Sequence, residues 1–340
     1  MHAPEEGKLR VAFTELIDLA AEHVGGQALL ASDEFFAGKE NLLKPGRGIF
    51  IPGKFTENGK WMDGWESRRK RVPGHDWCIL KLGLPGVIRG VDIDTNHFLG
   101  NFPEYASVDA LELEGEPTPE ALAAATWTPI LPQLKLQGGT RNLFPIASEQ
   151  RWTHLRLNIF PDGGVARFRV HGEVRPDFER LSRADGTVDL AAAANGGTVM
   201  ACNDAFFGPK DNLILPGRAA NMGEGWETRR KRVLPGFDWI VVKLAVPGTV
   251  QRVEVDTAYF KGNFPDTCSI EGCYLREPVV DFANAHDIAW TELLPRTKLQ
   301  ADHRHFFEAE LAAKGPFTHV RLKIYPDGGV SRLRVHGRPA

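Results

Sequence analysis

Long apolar runs are missing from this chain: no uninterrupted hydrophobic stretch in its 340 residues approaches the length of a membrane span. The N-terminal MHAPEEGKLR lacks the basic-then-apolar pattern of a secretory signal, so a soluble, unexported, cytoplasmic protein is expected. Cysteine is scarce as well. Cys78, Cys202, Cys268 and Cys273 show no metal-ligand spacing and read as small buried hydrophobes, as suits a reducing compartment. Excess positive charge is also absent. At a formal net charge of −3 the chain has no global basicity with which to hold nucleic acid or an anionic membrane. GxGxxG, Walker-type and GxSxG motifs do not occur, which removes the usual signatures of nucleotide binding and of a nucleophile elbow. No cofactor is certain from the sequence, which leaves divalent-metal dependence undetermined. His303 and His305 around Arg304 are at best a weak metal signal.

What the chain does contain is itself, twice. Asp18 to Ala21, Gly25-Gly26, Asp33, Phe35-Phe36, Asn41-Leu42 and Pro45 to Arg47 recur at a constant offset of 171 residues, Asp33 matching Asp204. The offset then falls to 161, Trp65 matching Trp226, because the first copy carries a loop around GIFIPGKFTENGKWM that the second mostly lacks. WESRRKR (Trp65 to Arg71) returns as WETRRKR (Trp226 to Arg232), GNFP at Gly100 returns at Gly262, and THLRLNIFPDGGVARFRVHG returns as THVRLKIYPDGGVSRLRVHG. The domains are therefore expected at 1–175 and 188–340, with the seam near Arg175 to Thr187.

Periodicity within each copy is two. Val91, Ile93 and Thr95 alternate with Asp92 and Asp94, and Leu155, Leu157 and Ile159 with His154, Arg156 and Asn158. With Pro and Gly at short intervals, this pattern predicts an all-β chain in which each copy is an antiparallel sandwich or jelly roll. Short helices are expected at Glu15 to Glu22 and Pro119 to Ala125. PDGG at Pro161 reads as a tight hairpin turn: centred on Gly163-Gly164 it sets Ile159 opposite Phe168 and Leu157 opposite Val170, whereas a turn at Asp162-Gly163 keeps the same faces but sets Arg156 against Arg169, a disfavoured like-charge pair.

The concentrated charge of WESRRKR, just ahead of a strand-like segment, reads as a polar edge on a rigid scaffold. If the segment is extended, Glu66, Arg68 and Lys70 point one way and Trp65, Ser67, Arg69 and Arg71 the other. An arginine pair beside a carboxylate suits a small molecule with its own carboxylate, since a guanidinium fork binds it bidentately and Glu66 accepts from amide-like N–H groups. The competing interpretation is a solvated ladder of ion pairs. Asp33 and Asp204 read either as polar groups at the mouth of the sandwich or as turn and capping residues. His154, His171, His319 and His336 could carry protons but are expected as strand-surface residues satisfied by neighbours. His75 and His97 stand out because their mates are Phe237 and Tyr259, so they could make the two copies functionally unequal. Neutral drift is the alternative.

The doubled set DGWESRRKR, PGxDW, GNFP and PDGGVxRxRVHG, in this order from about Phe13 to Gly337, resembles the allantoicase family. The resemblance implies tandem jelly-roll, galactose-binding-like β-sandwiches and a hydrolase that splits allantoate into ureidoglycolate and urea, a step in purine breakdown through allantoin. It carries no residue-by-residue catalytic assignment. Allantoate bears one carboxylate and two ureido groups on one carbon, so its site needs a cation fork, N–H acceptors and an acid for the departing nitrogen. On that chemistry Arg68 and Arg69, or Arg229 and Arg230, take the carboxylate, with Asp33 and Asp204 as further binding groups. Glu66 or Glu227 takes the ureido N–H groups, and His75 or His97 moves the proton. Ligand sites favour domain interfaces, so a cleft between the copies is the preferred location. The partner is then a small molecule, with neither nucleic acid nor membrane involved. A homo-oligomer is compatible with the sequence. Two other classes remain open: a non-catalytic carbohydrate-binding tandem, which needs a flat aromatic platform, and a scaffold, in which ion pairs consume every charge of the motif.

Overall fold

The computed structural model describes residues 13–113, 115, 117–176, 186–277, 279, 281–285 and 287–340. The chain divides into two compact units, Met1–Arg175 and Pro176–Ala340. Most of the expected seam, 177–185, lies outside the described residues.

In the first unit the strands are β1 (Gln27–Ala31), β2 (Phe55–Thr56), β3 (Gly59–Lys60), β4 (Trp65–Glu66), β5 (Asp76–Asp94), β6 (Tyr105–Leu111), β7 (Thr128–Lys135), β8 (Arg141–Pro145), β9 (Arg151–Phe160), β10 (Gly164–Val165) and β11 (Arg167–Val174). The second unit repeats the plan with β12 (Val188–Asp189), β13 (Thr198–Cys202), β14 (Trp226–Glu227), β15 (Asp238–Asp256), β16 (Thr267–Cys273), β17 (Thr291–Lys298), β18 (Arg304–Phe307), β19 (Phe317–Tyr325), β20 (Gly329–Val330) and β21 (Arg332–Pro339). Each unit is a jelly-roll β-sandwich, as the period-two pattern requires.

The 19-residue β5 organises its unit. Its first half pairs with β1 and β9, and β9 continues through β6 to β7. Its second half pairs with β11 on one side and β8 on the other, so one bent strand serves two sets of partners. Alternate residues from these strands meet in the core: Cys78, Leu80, Val91, Ile93, Val108, Leu155, Leu157, Ile159, Phe168 and Val170 are all fully buried. Burying a side chain of this size stabilises by roughly 1.5–3 kcal/mol, and so the apolar half of each strand dictates its facing. β15 plays the same part in the second unit.

The other half of the alternation is not left in water. Asp92 and Asp94 are buried and bound by Arg141 and Arg47, and His154, His171, His319 and His336 are buried rather than on a strand surface. Loops and a second strand layer cover faces that a simple in-out pattern would leave wet.

PDGG does not close a hairpin. β9 and β11 both pair with β5 but not with each other: Ile159 faces Asp76 and Phe168 faces Ile93. The segment crosses between the two partner sets, and its Gly164-Val165 pairs with Trp65-Glu66. Gly163 is required there for two reasons: its φ is 137°, and a Cβ would lie 2.7 Å from Asn101 O. The expected helix at Pro119 forms over Pro119–Ala124, started by Thr118, whose Oγ1 accepts from Ala121 N at 3.2 Å. The one expected at Glu15 to Glu22 does not form. Two short 3-10 turns, Phe13–Glu15 and Glu22–Val24, flank an extended bridge from Asp18 to His171, because Asp18 Oδ1 accepts from Val170 N at 2.9 Å.

Candidate active site

Four of the doubled motifs converge in each unit. In the first, Phe36, Glu66, Ser67, Arg69, Arg71, Gly100, Asn101, Phe102, Glu104 and Pro161 to Gly163 line a cavity of about 450 Å³. In the second, the matching residues plus Phe206 and Arg229 line one of about 660 Å³. Each is lined by residues of one repeat alone.

The basic motif is pinned from behind. Trp65 is fully buried and donates its indole N–H to Asp33 O at 2.8 Å. Ser67 N donates to Gly163 O, and Lys70 N donates to Asp162 Oδ2 at 2.8 Å. Lys70 Nζ reaches the buried Asp76 carboxylate at 2.5 Å, and Lys231 does the same to Asp238. Arg68 turns away from the cavity: its backbone N–H and its Nε donate to the two Asp33 oxygens at 2.8 and 2.6 Å, and its guanidinium covers Phe35. What remains for the cavity is Arg69 and Arg71, both exposed, with no hydrogen bond or ion pair among the described residues.

Glu66 sits at the wall, 8 % exposed, accepting from Asn101 Nδ2 at 2.7 Å. Burial raises its carboxyl above the ordinary glutamate range, and the Asn101 hydrogen bond offsets only part of that rise. Glu227 makes the same bond to Asn263 at 2.6 Å. For Asp33, burial pushes the carboxyl up, but the N–H groups of Arg68 and Phe35 and the Arg68 guanidinium outweigh it and hold it below the usual range.

The expected site residues therefore separate. Glu66, Arg69, Glu227, Arg229 and Arg230 line the cavities. Arg68, Asp33 and Asp204 lie behind them as supports, with Arg229 N donating to Asp204 Oδ1 at 3.1 Å. His75 packs on Phe160 with ring centroids 4.7 Å apart and planes tilted by 32°, and His97 packs on Phe50 at 5.8 Å; neither lines the first cavity. His97 and its mate Tyr259 share a left-handed backbone, φ 69° and 68°, so the conformation belongs to the loop rather than to an imidazole. His305 is structural: Gln300 N donates to its Nε2 at 2.8 Å, the bond Asn142 Oδ1 makes to Gln137 N in the first unit. Among the described residues no group of three His, Cys, Asp or Glu is placed to hold a metal ion. Sequence reasoning passed over Arg71, Arg232, Asn101, Asn263, Asp162, Asp327 and Glu104. All but Glu104 lie inside motifs that occur twice, which was the available signal.

Fold and site together define a tandem jelly-roll protein with a guanidinium-lined cavity in each repeat. The chain matches the allantoicase repeat model twice, over residues 17–175 and 188–340. It is 52% identical over 322 residues to probable allantoicase 1 of Burkholderia mallei and 50% identical over 321 residues to probable allantoicase of Ralstonia nicotianae, with 94% of each chain covered in both cases. The crystal structure of allantoicase from Saccharomyces cerevisiae superposes with a TM-score of 0.79 at 36% identity, covering 95% of this chain and 93% of that one. The chain belongs to the allantoicase family.

Proposed function

We propose that this chain hydrolyses allantoate to ureidoglycolate and urea in a motif-lined cavity, with Arg69 and Arg71 binding the substrate carboxylate and Glu66 moving the protons. Family membership supports the reaction. The residue roles rest on one arrangement: a buried carboxyl, fixed by Asn101, beside two arginines that no acid among the described residues has claimed.

The chemistry follows from the substrate. Protonated Glu66 gives its proton to the departing ureido nitrogen, and the C–N bond breaks with its electron pair leaving in urea. The lone pair of the remaining ureido nitrogen stabilises the electron-poor carbon. Water adds there and loses a proton to the Glu66 carboxylate, so ureidoglycolate forms and the acid is restored. A carboxyl raised by burial suits both halves of this cycle. The charge-assisted fork of Arg69 and Arg71 orients the substrate. His75 and His97, outside the lining, have no proton role in this scheme.

The scaffold reading needs every motif charge to be spent. Arg68 and Lys70 are, whereas among the described residues Arg69 and Arg71 meet no acid. A carbohydrate platform would be flat, and these sites are concave. We further read the chain as acting in the reducing cytoplasm on a small molecule. Four free cysteines support this, and among the described residues no helix is long and apolar enough to cross a membrane.

The test compares neighbours. Arg69→Gln should raise KM for allantoate by roughly 10- to 100-fold, the loss of a charge-assisted bond, while Arg68→Gln, already committed to Asp33, changes it far less. Equal effects of the two would refute the assignment.

A further inference from the structure

We propose that the two repeats have divided the work: the first-repeat cavity cleaves, and the second-repeat cavity is a standing binding site for a small ureido-bearing carboxylate, held without cleavage. This rests on the reading that hydrolysis occurs at Glu66.

The two cavities differ at matched positions, and every difference points the same way. Glu66 is buried, whereas Glu227 is partly open to water. Phe36 is half-buried, whereas its mate Phe207 is 61 % exposed. The reason is the first-copy loop. Its β2–β3 hairpin lies against the Phe pair, with Asn58 Nδ2 donating to Phe35 O at 2.7 Å and the Phe36 ring 3.7 Å from where a Cβ on Gly59 would stand. The second repeat has only the short turn Met222–Glu224 in that place, and its cavity is larger. A carboxyl that must deliver a proton to a leaving nitrogen works best where water is excluded, and in the first repeat the hairpin backs Phe36, which lines the cavity beside Glu66.

The charge balance differs as well. Two arginines line the first cavity and three the second. Arg68 is bound tightly to Asp33 at 2.6 Å, whereas Arg229 lies 3.8 Å from Asp204 and lines the second cavity. Glu104 of the first cavity has no ion pair among the described residues, but its mate Asp266 is neutralised by Lys298. The second cavity is therefore the more cationic and the more open. Such a site captures an anion readily but does not shelter a proton transfer. Asn263, which holds Glu227, is shared with Met222 Sδ at 3.4 Å, a contact the first cavity does not have. Burial also raises the Glu66 carboxyl, in keeping with the role as acid.

Glu66→Gln keeps the Oε1 that accepts from Asn101, so the fold is retained; a thermal melt verifies this. In the full-length chain this variant should lose at least about 100-fold in kcat for urea release, the range for a general acid. Equilibrium dialysis of the same variant against allantoate, now uncleaved, should give two molecules bound per chain. Adding Arg230→Gln and Arg232→Gln, both at exposed positions, should reduce this to one. Retention of about half the wild-type kcat by Glu66→Gln would mean that both cavities turn over, and would overturn the division. A single bound molecule unaffected by the Arg230 and Arg232 changes would overturn it too. If Glu66→Gln and Glu227→Gln each keep full turnover, hydrolysis does not occur in these cavities at all, and the inference falls together with the reading beneath it.

Discussion

The two repeats use one set of motifs to build one backbone, yet they finish it differently. At the tryptophan and lysine anchors of the motif the copies agree: Trp65 and Trp226 bond the carbonyls of Asp33 and Asp204 at 2.8 Å, and Lys70 and Lys231 bond buried aspartates at 2.5 Å. Wherever the cavity meets solvent, they part. Phe36 is covered and Phe207 is not, and Glu104 becomes an aspartate tied to Lys298. Duplication has preserved the Trp and Lys anchors and most of the lining residues, and has changed how the cavity rim is covered and charged. Recurrence in such a chain marks both the frame and the lining of the cavity, and divergence is concentrated at the rim.

That comparison can be broken most forcefully at the frame. Lys70→Met leaves the buried Asp76 carboxylate without its cation, and Lys231→Met does the same to Asp238. Each should cost roughly 3–5 kcal/mol, the usual penalty for orphaning a buried charge, read from denaturant melts. Asp76 is also held by Ser32 Oγ and Asp238 by Asn203 Nδ2, both at 2.8 Å, so the two costs should agree to within about 1 kcal/mol. A larger gap would show that the frames are not equivalent.

The next effect depends on pH and concerns the second repeat. Burial first, and Lys243 after it, push His319 down from 6.5 to about 4. The folded protein keeps this imidazole neutral while the unfolded chain protonates it, so stability rises with pH between about 4 and 6.5 and is lost as pH falls through that window. The loss should reach up to about 3 kcal/mol. His319→Gln should flatten the acid side of a stability–pH curve, and an unchanged slope would remove His319 from the account.

The smallest expected effect sharpens the contrast. Arg47 grips Asp94 with two bonds of 2.8 Å, whereas Arg218 reaches a single oxygen of Asp256 at 3.4 Å. Arg47→Gln should cost about 2 kcal/mol and Arg218→Gln under about 1 kcal/mol, again from denaturant midpoints. The opposite order would mean that bond geometry does not control these pairs.

Much of this molecule could be read from its residues alone. The constant offset of 171 revealed the duplication, the period of two revealed strands, and the doubled WESRRKR, GNFP and PDGG named the segments that meet at the cavity. These features are local or self-comparing, so no knowledge of contacts was needed. The choice of arginine was different. Alternation assigns facing only while a segment stays in a strand, and within this motif the strand covers only Trp65-Glu66. Beyond it the chain is steered by Asp33 onto Arg68 and by Asp162 onto Lys70, acceptors 35 and 92 residues away. PDGG failed as a hairpin for the same reason: β5 inserts between the strands on either side of it, and that insertion is decided by the packing of Leu155, Leu157 and Phe168 into one core. Sequence periodicity determined the elements and the motifs. Long-range hydrogen bonds and burial, which exist only once the chain has collapsed, decided which charges were spent on the protein and which were left for a ligand.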